Sequence, residues 1–370
     1  MTTSKWLAAG ALALSLAAAA QAQIVVGQTA GFSGPVAAGV KETTDGAKLY
    51  LDHVNAKGGV HGNKIELLSL DDKFDPKLAG QNARQLIEEK NVLALFLTRG
   101  TPHAEAIIPV LDQHGVALVG PSTGAMVLHQ PVRKHVFNVR ATYQREAEKA
   151  VTHLTSMGIN RIAVVHVEDS FGADGLAGAR KGLAAAKVDP VVLEKFDRSK
   201  PDFTAIGPKI AKAGTQAVIM IASGQAVVDG VKAIRAAGSA AQVVTLSNNA
   251  SGGFIKSLGN LGRGVIVSQV FPSERSIAYP MVKEAMELVQ ARKSGELSPA
   301  MLEGYAAAKV LVEGLRRAGP KPTRDKLQAA LENIRKFDLG GLDITFGPDD
   351  HTGLDFADLS IIGGDGKFKR

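Results

Sequence analysis

Residues 92–124 read VLALFLTRG-TPHAEAIIPVLDQHG-VALVGPSTG, and this stretch decides the fold class. Two short apolar runs, at residues 92–97 and 116–119, predict buried strands, and residues 102–114 between them predict a helix. A polar turn follows each strand. A strand, a helix and a second strand in this order form the unit from which parallel sheets are built.

The same alternation extends in both directions from this unit. On the N-terminal side, the sequence predicts strands at residues 24–29 and 64–70 and helices at residues 45–55 and 76–89. After a short break near residues 141–143 the pattern restarts. This half predicts strands at residues 161–167, 191–196, 217–221, 243–246 and 265–270, and helices at residues 144–157, 174–186, 202–213 and 226–237. We therefore expect an α/β protein with two doubly wound parallel-sheet lobes.

The last hundred residues do not predict a third lobe. They predict helices at residues 278–293, 299–318 and 324–334 and strands at residues 342–346 and 356–362. The simplest packing assigns residues 23–141 and 274–340 to lobe 1, and residues 142–273 and 341–370 to lobe 2. The chain then crosses between lobes near residues 141–143, 270–273 and 339–342. Several crossings predict a hinge, about which the lobes close on a ligand.

The N-terminus has the pattern of a secretory signal peptide. Lys5 precedes an apolar run at residues 7–20, and Ala20-Gln21-Ala22 provides small residues around a cleavage site. We predict that residues 1–22 are removed after Ala22 and that the mature protein is periplasmic. The chain has no cysteine, so an exported protein of this kind depends on a large core and not on disulfides.

Composition and charge exclude several functions. The formal net charge is +7, but the basic residues are scattered and are not interleaved with aromatic residues, so we expect no nucleic-acid partner. The nine histidines are also scattered, and no motif for a metal, phosphate or dinucleotide is present. We therefore expect no metal and no cofactor, and a monomer.

Gly120-Pro121-Ser122-Thr123-Gly124 follows a predicted strand and matches the nucleophile elbow of α/β hydrolases. Pro121 fixes φ immediately before the nucleophile, and no oxyanion-loop motif lies upstream. We expect no catalytic residue and no enzyme, although a secreted hydrolase that uses Ser122 remains an alternative.

Polar turns at the ends of neighbouring strands are a better candidate for function. Thr98-Arg99-Gly100-Thr101 follows one strand and opens a helix, and residues 120–124 follow the next strand. Ligands of open α/β sheets bind at the carboxyl ends of the strands. Small hydroxyl residues beside helix N-termini offer N–H and O–H donors to an anion, so a carboxylate is the expected ligand.

Several motifs resemble those of the branched-chain amino-acid-binding proteins of bacterial ABC importers, which have the type I periplasmic-binding fold. The resemblance covers essentially the whole mature chain. The matching segments are IVVG at 24–27 with SGP at 33–35, NAKGGVHG at 55–62, DD at 71–72 with DP at 75–76, DSFG at 169–172 and KPDF at 200–203.

The resemblance implies where a ligand would bind. The family holds the ligand carboxylate at the turns after the third and fourth strands, which are similar to Arg99, Gly100, Thr101, Ser122, Thr123 and Gly124 here. Contacts from the second lobe would come from Phe171, Ser223, Gly224 and Asn248. Tyr305 resembles an aromatic residue that lines the cleft. A permease and ATPase complex at the inner membrane would be the partner.

The chain departs from this family pattern at the position that binds the ligand ammonium. Asn248 stands where the branched-chain binders have a glutamate, and a neutral amide cannot offset a buried cation. Gly39 lies near the position of an aromatic residue in the family. The ligand is therefore either an amino acid of the branched-chain type or a related small carboxylate, and a sensor that partners a signalling protein is a further alternative.

Overall fold

The computed structural model describes residues 23–370, so the predicted signal peptide lies outside the described residues. Two sheets, of five and seven strands, form two lobes, and the predicted α/β class is confirmed. No helix among residues 23–370 is long and apolar enough to cross a membrane.

The first sheet contains five parallel strands in the order β2-β1-β3-β4-β5. Its elements are β1 (Gln23–Ala30), α1 (Ala37–Ala56), β2 (Lys64–Asp71), α2 (Pro76–Arg84), β3 (Ala94–Phe96), α3 (Thr101–His114), β4 (Leu118–Val119) and β5 (Val136–Phe137). A π-helical turn over Gln85–Glu89 continues α2. The Asp75 carboxylate accepts a hydrogen bond from the backbone N–H of Lys77 and caps α2, with Pro76 at its first turn. The sequence pattern did not predict β5, which has only two residues.

The second lobe repeats the alternation of helix and strand. Its elements are α4 (Tyr143–Ser156), β6 (Ile162–Val167), α5 (Ser170–Ala186), β7 (Val192–Phe196), α6 (Ile206–Lys212), β8 (Ala217–Ile221), α7 (Gln225–Ala236), β9 (Gln242–Thr245), α8 (Gly252–Leu258) and β10 (Ile266–Gln269). Strands β6 to β10 are parallel, with β6 between β7 and β8.

The C-terminal part of the chain contributes to both lobes. It contains α9 (Pro280–Arg292), α10 (Pro299–Ala318), α11 (Arg324–Glu332), β11 (Phe337–Asp338), β12 (Asp343–Ile344), β13 (Asp358–Ile362) and β14 (Phe368–Lys369). The last two strands extend the second sheet in antiparallel orientation, from β10 through β13 to β14. Strands β11 and β12 form a separate antiparallel pair.

The third crossing between the lobes lies later in the chain than predicted. Ile344, Phe346 and Leu354 pack in the core of the first lobe together with residues of α9, α10 and α11. The chain joins the second sheet only at Asp358. Within the segment 341–370 that was assigned to lobe 2, residues 344–354 therefore belong to lobe 1, because apolar side chains hold them in the first core. Strand β10 ends at Gln269, and Val270 and Phe271 already belong to the first core.

Helix α1 begins at Ala37, eight residues before the predicted start at residue 45. Glycines near its beginning weaken the helical pattern, but the packing against α10 requires one of them. A Cβ atom at Gly46 would lie 1.9 Å from the backbone oxygen of Met301, and a Cβ at Gly304 would lie 1.8 Å from the backbone oxygen of Thr43. The two backbones therefore approach each other more closely than any larger side chain allows.

Candidate functional site

The two polar turns of the first lobe lie side by side, as expected for parallel neighbours. Arg99 and Ser122 form an isolated parallel bridge, and the backbone N–H of Ser122 donates to the backbone oxygen of Thr98 over 2.8 Å. The hydroxyls of Thr101 and Thr123 are 2.7 Å apart. Gly100, with φ of +100°, turns the chain from β3 into α3. The structure thus brings these predicted first-lobe residues together at the carboxyl ends of β3 and β4.

Arg99 is the cation of this site and it reaches the second lobe. Its side chain donates from Nη2 to the backbone oxygen of Asn248 over 2.6 Å. Arg99 is only 5% exposed, and this burial lowers its pKa. Both terminal nitrogens lie 3.8 Å from the place of a Cβ at Gly39. A large side chain at position 39 would crowd the guanidinium, so the glycine leaves space for it.

The second lobe presents a polar wall opposite Arg99. The Asn248 amide donates to the backbone oxygen of Ala222 over 3.1 Å and to the Ser223 hydroxyl over 2.9 Å. The Asn249 side-chain oxygen accepts from the backbone N–H of Gly224 over 2.8 Å. The predicted residues Ser223, Gly224 and Asn248 therefore do lie at the cleft, and their hydrogen bonds to one another fix the wall.

Three spaces lie beside Arg99 and the second-lobe wall. One of about 50 Å³ is bounded by Gly39, Arg99, Gly224 and Asn248 among others. Arg99 also lines a smaller space within the first lobe, on the side of Ser122, which is too small to hold a water molecule. A third cavity of about 260 Å³ lies further out, between Phe74 of the first lobe and Phe196, Arg198 and Ser223 of the second. Pro35 and Gln225 line both the 50 Å³ cavity and the 260 Å³ cavity, so the two adjoin each other.

Six of the predicted site residues do not line these cavities. Gly100, Thr101 and Thr123 lie in the turns beside Arg99 and Ser122, and the other three have packing roles. Tyr305 is fully buried in the core of the first lobe, where its ring packs edge-on against Tyr50 at 5.1 Å. The prediction that Tyr305 lines the cleft is therefore corrected, because α10 directs the Tyr305 side chain toward α1. Phe171 packs against Tyr143 in the core of the second lobe. At Gly124, a Cβ would lie 2.4 Å from the backbone oxygen of Ala141, so this glycine permits a close backbone contact.

A buried ion pair beside the cleft was not predicted from the sequence. Arg140 lies on the crossing segment after β5 and pairs with Glu146 in the first turn of α4. Burial opposes the charged form of Arg140, but the nearby Glu146 carboxylate outweighs it and raises the pKa. Arg140 also donates to the Ser247 hydroxyl over 2.8 Å, and Glu146 accepts from the Ser268 hydroxyl. This network ties the crossing segment to the second lobe.

Glu303 on α10 is a second acid that the alignment of motifs did not select. It is 6% exposed, and its Oε1 has no hydrogen-bond partner among the residues that the structure describes. Its charge acts on Arg99 and Arg140 and favours their protonated forms. Glu303 does not line any of the three cavities. The only sequence signal for it was a charged residue within an apolar helical stretch.

The geometry around Ser122 does not assemble a triad. Across residues 23–370, the hydrogen bonds of histidine side chains connect them to other groups and not to Ser122. Ser122 instead lies next to Arg99, between the ends of two strands. An arginine that faces a hydroxyl and a ring of polar groups suits the binding of an anion.

Two α/β lobes that meet over a buried arginine define a two-lobed ligand-binding protein. The chain belongs to the periplasmic binding protein family, whose sequence profile matches residues 23–356. Leu/Ile/Val-binding protein homolog 3 of Brucella melitensis is 28% identical over 317 residues, which cover 84% of this chain and 83% of the relative. The Leu/Ile/Val-binding protein of Escherichia coli K12 is 25% identical over 319 residues, which are 85% of each chain.

A solved structure has the same architecture. The substrate-binding periplasmic protein from Ralstonia solanacearum superposes with a TM-score of 0.86 at 31% identity, over 94% of this chain and 99% of that one. Together with the curated relatives, this likeness confirms the resemblance to the branched-chain amino-acid-binding proteins with the type I periplasmic-binding fold.

Proposed function

We propose that this protein is the periplasmic substrate-binding subunit of an ABC importer, and that it captures an amino acid or a related small carboxylate by closing its lobes. The single observation that carries the proposal is Arg99, a buried arginine on the first lobe that contacts the second lobe directly. A guanidinium presents a planar fork of donors that matches a carboxylate. A ligand bound there would contact both lobes and stabilise their closed arrangement.

The likeness to Leu/Ile/Val-binding proteins supports delivery to a membrane permease and its ATPase. The same likeness supports a periplasmic location, and the small residues Ala20 and Ala22 support cleavage after Ala22. Intact-mass analysis of the protein secreted by a bacterial host would check the cleavage site, and a mature chain that begins beyond Gln23 would contradict it.

Lobe closure gives the first test of this function. Saturating ligand, found by a thermal-shift screen of amino acids and carboxylates, should raise the melting temperature and reduce the radius of gyration measured by small-angle scattering. Arg99→Gln should weaken binding by about tenfold or more, since it removes a charge-assisted hydrogen bond to the carboxylate. Arg84→Gln, a change at an exposed arginine of α2, is the matched control. Binding that survives Arg99→Gln unchanged would contradict the proposed site.

The hydrolase alternative has a direct test as well. Wild-type protein should hydrolyse no chromogenic ester, so Ser122→Ala should have no activity to remove. Robust turnover by the wild type that disappears in Ser122→Ala would favour a hydrolase over a binding protein.

A further inference from the structure

We infer that the ligand is a monocarboxylic acid with an apolar body and without an α-amine, which narrows the proposed function and rests on it. The inference depends on which charges the cleft contains. In the 50 Å³ cavity and in the smaller space beside Ser122, Arg99 is the only charged residue in the lining. This part of the cleft therefore offers a ligand a positive charge and no negative charge.

An α-ammonium group would have to occupy the same space as the carboxylate. One carbon atom separates the two groups of an α-amino acid, so an ammonium beside an Arg99-bound carboxylate would have to share the 50 Å³ cavity. A buried ammonium needs an acidic partner or several free acceptors. The Asn248 side-chain oxygen already accepts from the Asn249 amide over 3.3 Å, and the Asn249 oxygen accepts from Gly224. Each amide oxygen therefore has one acceptor position left at most, and the second-lobe wall has no negative charge to pair with an ammonium.

The nearby acids lie outside these cavities. Glu303 acts on Arg99 through its charge but lines neither space, so it serves as a counter-charge for the arginine. Glu42 accepts hydrogen bonds from the backbone N–H groups of Gly252 and Gly253, at 3.0 and 2.8 Å. Asp229 lines only the 260 Å³ cavity, called the outer cavity below, and Arg99 is not part of that lining.

The outer cavity accounts for the apolar body of the ligand. It holds about 260 Å³ and adjoins the Arg99 cavity at Pro35 and Gln225. The rings of Phe74 and Phe196 lie on its two sides, one from each lobe. Arg198 is already engaged there, since it pairs with Asp169 and lies 4.9 Å from the centre of the Phe74 ring. The cavity thus suits a hydrocarbon chain or ring that extends from the carboxylate.

Calorimetry with matched ligand pairs tests this inference. The mature protein, refolded from guanidinium to remove carried-over ligand, would be titrated with leucine and 4-methylpentanoate, and with phenylalanine and 3-phenylpropanoate. Acetate tests the need for the apolar body, and 4-methylpentanamide tests the need for the carboxylate. We expect each amine-free acid to bind about tenfold or more tightly than its amino acid, because an unpaired buried ammonium is costly. Acetate and the amide should bind weakly.

Two variants separate the sources of selectivity. Asn248→Asp places an acid in the Arg99 cavity and should shift the preference toward the amino acid of each pair by about tenfold or more. Glu303→Gln should change the affinities for both members of a pair by the same factor. Selective loss of leucine binding in Glu303→Gln would instead make Glu303 the ammonium receptor and overturn the inference.

The outcomes distinguish this inference from the function on which it rests. Leucine that binds wild-type protein as tightly as 4-methylpentanoate overturns the claim about the amine but leaves a binding protein in place. If acetate binds as tightly as the larger acids, the claim about the apolar body fails. If no carboxylate of either kind binds, the proposed function fails.

Discussion

Two buried histidines make the stability of this protein sensitive to acid. His103 packs against the Phe74 ring at 4.5 Å, and His129 is buried near Arg140. Burial lowers the pKa of each ring to about 4 from the usual 6.5. Each neutral ring stabilises the fold fully above pH 6.5, and this contribution is lost as the pH falls toward 4. Burial also raises the pKa of Asp72 to about 6. Protonation of this carboxyl stabilises the folded state as the pH falls, which opposes the effect of the histidines.

Replacing one histidine should reduce the acid sensitivity. His103→Phe keeps the stacking with Phe74 but removes a group that must be protonated on unfolding. Between pH 7 and pH 4.5, its free energy of unfolding should fall by about 2 kcal/mol less than that of wild type. Urea titrations at both pH values would measure this, with His61→Gln at an exposed position as the control. Equal pH dependence of His103→Phe and wild type would show that the ring is not held neutral.

The Arg140–Glu146 pair is the second residue-scale feature with a measurable effect. Glu146→Gln would leave the guanidinium of Arg140 buried without its counter-ion, and we expect a loss of about 3 kcal/mol in the free energy of unfolding. Ser268→Ala removes only one hydroxyl that donates to Glu146, and should cost about 1.5 kcal/mol. Chemical denaturation would measure both. A smaller loss for Glu146→Gln than for Ser268→Ala would show that the ion pair itself adds nothing.

At the residue scale, sequence reasoning identified Arg99 and its neighbours because they follow strands, and strand ends meet at one edge of a parallel sheet. It did not identify Arg140 or Glu146. Their importance depends on burial and on partners far apart in the sequence, as with Glu146 and Ser268. No local pattern indicates such pairing. Tyr305 was misplaced for the same reason, since its orientation depends on how α10 packs against α1.

At the element scale, the pattern predicted the long helices and the buried strands but not all of their ends. Helix α3 was predicted from residue 102 and begins at Thr101, whereas α1 begins well before its predicted start. The start of α1 was missed because glycines such as Gly46 weaken the local helical pattern. These glycines are explained only by the close approach of α10, which is a tertiary contact. The two-residue strand β5 is too short to produce a period-two pattern.

The loop before α7 allows a prediction about how elements meet across the cleft. Gly224 has φ of +53°, and a Cβ there would lie 2.0 Å from the backbone oxygen of Pro35 in the other lobe. Gly224→Ala should therefore hold the lobes apart and weaken ligand binding by about tenfold or more. Gly238→Ala is a matched control, because Gly238 also has positive φ, +79°, and has no atom within 4 Å of its Cβ position.

Scattering and calorimetry on the two glycine variants would separate backbone strain from interlobe contact. Both variants should lose some stability, because alanine is strained at positive φ. Only Gly224→Ala should enlarge the radius of gyration and reduce affinity. The same affinity in both variants would mean that Pro35 does not approach Gly224 in the ligand-bound protein.

At the scale of the whole molecule, a few polar contacts hold the lobes together. The Glu42 carboxylate of α1 accepts hydrogen bonds from the backbone N–H groups of Gly252 and Gly253 at the start of α8, and from the Ser298 hydroxyl over 2.7 Å. The backbone N–H of Ala300 donates to the backbone oxygen of Ala250 over 3.0 Å. Contacts of this kind must break when the lobes separate, so they set the balance between open and closed forms.

Glu42→Gln should therefore shift that balance toward the open form. The substitution keeps the size of the side chain but removes the charge that favours the helix N-terminus, and one amide oxygen replaces two carboxylate oxygens. Each lost charge-assisted hydrogen bond is worth about 1.5 to 3 kcal/mol, so the fraction of closed protein should fall about tenfold or more. Binding of a ligand that prefers the closed form must then also drive closure of the lobes. The apparent affinity of such a ligand therefore falls by the same factor as the fraction of closed protein.

The measurement combines two methods on one variant. Scattering without ligand should give a larger radius of gyration for Glu42→Gln than for wild type, and saturating ligand should restore the compact form. Calorimetry should show weaker binding with an unchanged order of ligand preferences, because Glu42 lines neither cavity beside Arg99. Glu89→Gln, at an exposed acid of the π-helical turn, should behave as wild type in both experiments. A change in ligand order for Glu42→Gln would mean that this residue contacts the ligand and does not act through closure.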